Sequence, residues 1–162
     1  MAVGCVSVLV RSADDLGYGS RGAPIETAAD WTEVVDAFSA EVDMTRVLEL
    51  MVSGTPSVSV ADPDDDTMVL RFFLGRDVTP SAPGLRSSSR QELDATAIDP
   101  DVVVDAVARA RADSGNDPPV REVVKVTDDG AGPRIAVSFP LGRDSTHTYV
   151  VDASGTPVST TP

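Results

Sequence analysis

Residues 57–74 read SVSVADPDDDTMVLRFFL and decide the fold, because two strand patterns flank an acidic turn. Val58 and Val60 alternate with serines, which is the pattern of a strand with one open face. The segment DPDDD at 62–66 is typical of a turn, and Met68–Leu74 then returns the chain. Strands joined by so short a turn pair antiparallel, so the stretch predicts a β-hairpin.

A helix is predicted before this hairpin, beginning at Thr27. Thr27 and Asp30 have the spacing of an acidic capping box, which satisfies free N–H groups at a helix start. Apolar residues then recur at helical spacing: Trp31, Val34, Val35, Phe38 and Val42. We expect Trp31 and Phe38 to be core anchors rather than binding residues. Between helix and hairpin, residues 47–52 have β-branched ends and precede a Ser-Gly-Thr-Pro turn, which favours a strand.

The second half of the chain predicts one more helix and three more strands. Asp99 followed by Pro100 is a favourable helix start, and the helix is expected to end near Asp113. The strands are expected near residues 120–127, 134–139 and 146–152. The turn Ala153-Ser154-Gly155 is expected to close the last of them.

These elements predict an α+β fold in which two helices pack on one antiparallel sheet or on two related sheets. The expected organisation is a first lobe at 1–76, with an opening strand at Val6–Val10, the helix and the hairpin. A linker or loop follows at 77–97, and a second lobe with a helix and three strands occupies 98–162. One compact domain containing both lobes is the alternative.

Short segments also recur between the two halves, at offsets of 66 to 69 residues. VVDA at 34–37 returns at 103–106, and the V-x-V-x-D pattern at 58–62 returns at 124–128. Phe72 with LGRD at 74–77 is matched by Phe139 with LGRD at 141–144. The echo predicts two pseudo-repeated α-β-β units that share one core.

Composition restricts the classes of partner. The chain has 26 acidic and 13 basic residues, a formal net charge of −13 and 41% hydrophobic residues. Such a charge repels nucleic acid, and no apolar run approaches the ~20 residues that a membrane span needs. The single cysteine excludes an internal disulfide and a multi-cysteine metal site, and no cofactor is predicted.

A GxGxxG pattern at residues 17–22 does not fit a dinucleotide site. The glycines of such a site leave a strand directly and open a helix that holds the pyrophosphate. Here six residues, including Asp14 and Asp15, separate the pattern from the preceding strand. Two carboxylates at that point repel phosphate, so we interpret the segment as a loop.

The acidic turn of the hairpin matches only the beginning of a calcium-binding loop. Asp62, Asp64 and Asp66 occupy the first three ligand positions of an EF-hand. Thr67 and Phe73 stand where that loop requires glycine and glutamate. We therefore interpret the segment as a solvated turn and predict no metal site.

The residues that nucleophilic catalysis needs are not grouped in the sequence. His147 is the only histidine, and it stands in a predicted strand between two threonines. We expect it to be exposed, on the face opposite Tyr149. Cys5, the only thiol, lies in the apolar opening strand, so a Cys5–His147 pair would have to form in space. We predict that the protein is not an enzyme.

The opening strand Val6–Val10, the acidic helix with Trp31 and Phe38, and the hairpin Val58–Leu74 resemble the actinobacterial immunity proteins of polymorphic toxin systems. The resemblance covers roughly the first half of the chain and implies a protein that neutralises a basic toxin enzyme. The second half, with its Thr148–Gly155 ending, looks like PepSY-type domains that bind or inhibit partner proteins. That resemblance implies an extracytoplasmic binding or inhibitory module of a lipoprotein or secreted protein.

We therefore expect a non-catalytic acidic domain that neutralises or sequesters a basic partner protein, because complementary charge speeds encounter and rejects wrong partners. The oligomeric state stays open. The location expected is the cytoplasm, or an exported or lipid-anchored form if the true N-terminus lies upstream. The candidate partner-binding residues, which we expect the fold to gather on one side, are Asp36, Glu41, Asp43, Asp62, Asp64, Asp65 and Asp66.

Overall fold

The structure is a computed structural model that describes residues 25–114, 122–140 and 146–161. The predicted strand Val6–Val10, the pattern at 17–22 and the whole of the second LGRD segment at 141–144 lie outside these residues. The helices are α1 (Ala28–Ser39) and α2 (Pro100–Ser114), with a short 3-10 turn at Ala95–Ala97. The strands are β1 (Val47–Val52), β2 (Ser57–Ala61), β3 (Met68–Leu74), β4 (Val78–Pro80), β5 (Gly84–Leu85), β6 (Val123–Asp128), β7 (Pro133–Pro140), β8 (Thr146–Asp152) and β9 (Pro157–Thr161).

The strands form one antiparallel sheet, and both helices pack on the same face of it. The strand order is β4-β3-β2-β1-β6-β7-β8-β9, with β5 beside β3. The two halves of the chain meet at the centre, where Leu50 of β1 pairs with Val58 of β2 and Val126 of β6. The α+β prediction of two helices on an antiparallel sheet is therefore confirmed.

Helix α1 begins as its sequence predicts. Thr27 is the N-cap, and its hydroxyl accepts a hydrogen bond from the Asp30 N–H while the Asp30 carboxylate accepts from the Thr27 N–H. Trp31 is 1% exposed and Phe38 is 0% exposed, so both are core anchors as predicted. They pack with Val103 and the other inward residues of α2 and the sheet in one apolar cluster.

Residues 77–97 contain structure that the sequence pattern does not indicate. β4 and β5 both pair with β3, through contacts such as Phe73 with Thr79 and Val69 with Gly84. Further along, Leu93 pairs with Val47 at the start of β1. These pairings form because β3 and the start of β1 offer unpaired edges.

The turn predicted at 153–155 is present, but it does not close the last strand. Gly155 has φ +81 and donates its N–H to the Asp152 carbonyl, as a tight turn requires. β9 follows and pairs with β8, for example Ser159 with Val150. The expectation of three strands after α2 is thus wrong by one.

The internal duplication is not confirmed. The sequence echo equates β2 with β6 and β3 with β7. In the sheet, the first strand after each helix is β1 or β6, and these two lie side by side. The sequence offsets therefore match β6 with β2, whereas its position as the first strand after a helix matches β6 with β1.

The helices of the described ranges are short. α2, the longer of the two, has 15 residues. None of these helices has the length and apolarity that crossing a bilayer requires.

Candidate functional site

Acidic residues gather at one end of the sheet, which we call the acidic end. Strand pairing places the connections before β1, between β2 and β3, and between β6 and β7 there, because Val47 pairs with Val60 and Asp128 with Pro133. The β8–β9 turn joins them, since Arg134 pairs with Asp152. Residues 91–93 also reach this end, because Leu93 pairs with Val47 and Gln91 with Asp128. The carboxylates in these segments and at the adjoining strand ends are Glu41, Asp43, Asp62, Asp64, Asp65, Asp66, Glu92, Asp94, Asp128, Asp129 and Asp152.

Six of the seven candidate binding residues lie at this end. Glu41 and Asp43 lie just after α1, and the four aspartates of residues 62–66 lie in the β2–β3 turn. Asp36 lies on α1 itself, three residues before its end at Ser39. All seven are exposed except Asp62, which is half-buried.

Several of these carboxylates hold the turns in which they stand. Asp43 accepts hydrogen bonds from the N–H and the hydroxyl of Thr45, at 3.1 and 2.7 Å. Asp65 accepts the same two bonds from Thr67, at 2.9 and 2.6 Å. The other instances of this arrangement are Asp94 with Thr96 and Asp152 with Ser154. The Asp-x-Thr/Ser pattern therefore stabilises local turns.

These hydrogen bonds favour the charged form of the carboxylates. The hydroxyl of Thr45, helped by its N–H, lowers the pKa of Asp43 below its ordinary 3.8. The hydroxyl and N–H of Thr67 lower the pKa of Asp65 in the same way. The Ser154 hydroxyl is the main cause of a lowered pKa at Asp152.

Asp62 also holds its turn, by accepting the Asp64 N–H at 2.9 Å, whereas the other four candidate carboxylates have no such role among the described residues. Within the described ranges, the side chains of Asp36, Glu41, Asp64 and Asp66 accept no hydrogen bond and form no ion pair. No described residue therefore competes with an incoming cation for their charges. Within the described part of the chain, the candidate set thus divides into carboxylates that form turns and carboxylates that no described residue contacts.

Two arginines neutralise part of the acidic end. Arg46 binds both carboxylate oxygens of Glu92, at 2.9 and 3.1 Å, and this carboxylate raises the pKa of Arg46. Arg90 lies 3.7 Å from Glu49 and 3.4 Å from Asp129. The acids of the β2–β3 turn have no counterpart of this kind among the described ion pairs.

A buried ion pair lies at the opposite end of the sheet. The Glu122 carboxylate accepts two bonds from the Arg111 guanidinium, at 2.8 and 3.0 Å, and one from the Ile25 N–H at 2.9 Å. Its side chain is 5% exposed. Three bonds satisfy the buried charge, so this group joins α2 and Ile25 to the start of β6.

The expectation that His147 is exposed and opposite Tyr149 is wrong. His147 is 6% exposed and pairs across the sheet with Phe139. Residues two apart in a strand point to the same face, so His147 and Tyr149 both face the helices. Among the described residues, Nε2 of His147 has no hydrogen-bond partner. Cys5 lies outside the described residues, so the Cys5–His147 pair is not tested.

The described ranges hold no group of side chains that could bind a metal ion, and the cavity beside α2 is small. No three His, Cys, Asp or Glu side chains converge there as metal ligands. A cavity of about 70 Å³ lies between α2 and the β8–β9 turn, lined in part by Val102, Arg109 and Gly155. Small-molecule sites generally need roughly 300 Å³ or more.

Comparison of the chain with protein families, curated proteins and solved structures finds no match.

Proposed function

We propose that this protein is a non-catalytic acidic binding domain that neutralises or sequesters a basic partner protein, as immunity proteins do. The observation that carries the proposal is the placement of Glu41, Asp64 and Asp66. These exposed carboxylates, unpartnered within the described ranges, lie at one end of a single sheet. A cationic surface can approach them without first breaking an internal ion pair.

The turn-forming aspartates support the same proposal indirectly. Asp65 fixes the turn that carries Asp64 and Asp66, and Asp43 fixes the connection that carries Glu41. A surface that is ordered before binding loses less conformational entropy on association. The formal net charge of −13 adds long-range attraction for a basic partner.

The proposal places this activity in the cytoplasm and requires no chemical step by the protein. The partner's own basic site supplies the complementary surface. Blocking such a site needs only charge complementarity and shape, because a charged partner held there excludes other ligands.

Affinity capture from the native host tests the proposal, with the wild-type chain compared with a triple variant, Glu41→Lys, Asp64→Lys and Asp66→Lys. We expect the wild type to retain a basic protein and the variant to lose it. The matched control is Asp77→Lys, Asp105→Lys and Asp113→Lys, which reverses three exposed charges outside the acidic end. This control has the same net charge as the variant and should retain the partner.

Association kinetics of the captured partner give the second test. We expect the wild-type association rate to fall as salt rises, and the triple variant to associate more slowly with a flatter salt dependence. A partner that binds at equal rates at low and high salt would exclude the acidic end as the recognition surface.

A further inference from the structure

Both helices pack on one face of the sheet. We call the opposite face the open face, and its side chains lie outside the apolar cluster. The apolar cluster contains Leu50, Val58 and Val126, which point toward the helices. The alternating residues Met51, Phe73 and their cross-strand neighbours point the other way and are not part of that cluster. Both described helices lie on the core side, so within the described ranges no helix covers the open face.

One row of cross-strand neighbours on the open face carries charges of alternating sign. Strand pairing gives its order from β3 to β8: Arg71, Ser59, Glu49, Thr127, Arg134 and Asp152. Arg71 donates to Ser59 at 3.2 Å and lies 3.9 Å from Glu49. Arg134 helps to lower the pKa of Asp152, as expected for direct neighbours. The row is therefore close to neutral.

The next row is largely apolar. From β3 to β9 it contains Phe73, Ser57, Met51, Lys125, Ala136, Val150 and Ser159. Its apolar members are half-buried, although none of them packs against the core cluster. Lys125 is the single charge in the row, so a second sheet can pack on it at the cost of little buried charge.

We propose that a second copy of this chain packs its open face against this one, forming a two-fold dimer with two sheets between two outer layers of helices. Charge favours this surface over others. The chain carries a formal net charge of −13, so two copies repel each other most strongly where carboxylates gather. The open face instead carries Arg71, Arg90, Lys125 and Arg134 against Glu49 and Asp152.

The footprint of the open face overlaps the lower part of the range that such a dimer needs, although Ser57, Ser59 and Thr127 are already buried between their neighbours. Strands lie about 4.8 Å apart and rise about 3.3 Å per residue, so the sheet offers roughly 500–700 Å² per copy. Two copies would bury roughly 1,000–1,400 Å², which reaches the lower part of the range for specific interfaces. Glu41, Asp64 and Asp66, which carry the proposed function, lie outside both rows of the open face, so the dimer does not depend on the proposed function.

Sedimentation velocity of the full chain over a dilution series tests this inference. We expect a monomer–dimer equilibrium in the micromolar range at physiological salt. Lys125→Glu and, separately, Val150→Glu should raise the dimer dissociation constant at least about tenfold, because each places like charges in a desolvated contact. Circular dichroism and thermal unfolding establish that each variant is folded. If Val150→Glu does not fold, Lys125→Glu alone tests the contact, because glutamate is close to lysine in size.

Arg76→Glu is the matched control, because Arg76 is exposed in the β3–β4 turn and its reversal changes the net charge as Lys125→Glu does. It should leave the dimer dissociation constant within about twofold. Val158→Lys tests the rival contact through the exposed edge strand β9, where Val158 is 48% exposed. The inference is overturned by a monomer at every concentration, by equal effects of Lys125→Glu and Arg76→Glu, or by a dimer that only Val158→Lys abolishes.

Discussion

Nε and Nη2 of Arg111 both donate to the same carboxylate oxygen of Glu122, Oε2, at 3.0 and 2.8 Å. The pair connects the last turn of α2 with the start of β6. The carboxylate is the more buried partner, with 5% of its side chain exposed against 27% for Arg111. Removing Glu122 therefore leaves the half-buried Arg111 guanidinium without its partner, whereas removing Arg111 leaves the buried Glu122 carboxylate without its partner.

Glu122→Ala should lower the free energy of unfolding by about 3 kcal/mol, because it removes the carboxylate and leaves Arg111 and the Ile25 N–H unsatisfied. Urea denaturation measures the loss. Arg111→Lys keeps the charge but not the two-pronged donor, so it should lose less than Glu122→Ala. A Glu122→Ala protein as stable as the wild type would show that the pair has no structural role.

Trp31→Ala and Phe38→Ala should each lower the free energy of unfolding by about 3–5 kcal/mol, because both side chains are fully buried on α1. Chemical denaturation provides the measurement. Asp36→Ala, an exposed position on the same helix, is the control and should change stability by less than about 0.5 kcal/mol. Similar losses of unfolding free energy at Trp31, Phe38 and Asp36 would indicate that the substitutions weaken α1 itself rather than the packing of the core.

Stability should fall in acid through the turn-forming aspartates. Their pKa values are lowered from 3.8 in the folded protein, so their contribution is complete above the unfolded value and is lost as pH falls through the folded values. The triple variant Asp43→Asn, Asp65→Asn and Asp152→Asn should show a shallower loss of stability between about pH 5 and about pH 2. Urea midpoints over that range measure it, and an unchanged acid slope would contradict the prediction.

His147→Leu should raise the free energy of unfolding by about 1 kcal/mol, because it removes a buried nitrogen to which no described residue is hydrogen-bonded. Tyr149→Leu, at the neighbouring buried position on the same face, should instead lower it by about 1–2 kcal/mol. Thermal unfolding of both variants separates the two effects. A destabilised His147→Leu protein would mean that the imidazole contributes packing or a contact that outweighs its unpaired nitrogen.

The sequence predicts the elements whose signals are local. The Thr27–Asp30 capping box and the acidic turn of the hairpin are complete within a few residues, and the structure has both. β4, β5 and β9 escape prediction because they are short or polar and pair only where a neighbouring strand offers an edge. Ser159, Thr160 and Thr161 have no apolar alternation of the kind that marks a strand.

The sequence shows which acidic residues belong to the candidate site, but it does not show that they meet. Acidic residues before β1 and in the β2–β3 turn can be read from the sequence, but their meeting at one end depends on the pairing of Val47 with Val60. The Asp-x-Thr/Ser spacing was available as a signal that Asp43 and Asp65 form turns. The expectation that His147 lies opposite Tyr149 is wrong because residues two apart in a strand share a face, which places His147 with buried Tyr149.

The pairing of β1 with β6 has a kinetic consequence. Most neighbouring strands in the sheet are joined by short turns, whereas Leu50 and Val126 come from opposite halves of the chain. Closing so long a loop has an entropy cost that only the contacts formed afterwards offset. Strands β1–β3 and strands β6–β9 can therefore pair among themselves early in folding, and the pairing of β1 with β6 is then the slow step. Until β1 and β6 pair, each of them is an unpaired edge strand, and at this stage the chain is most prone to aggregate.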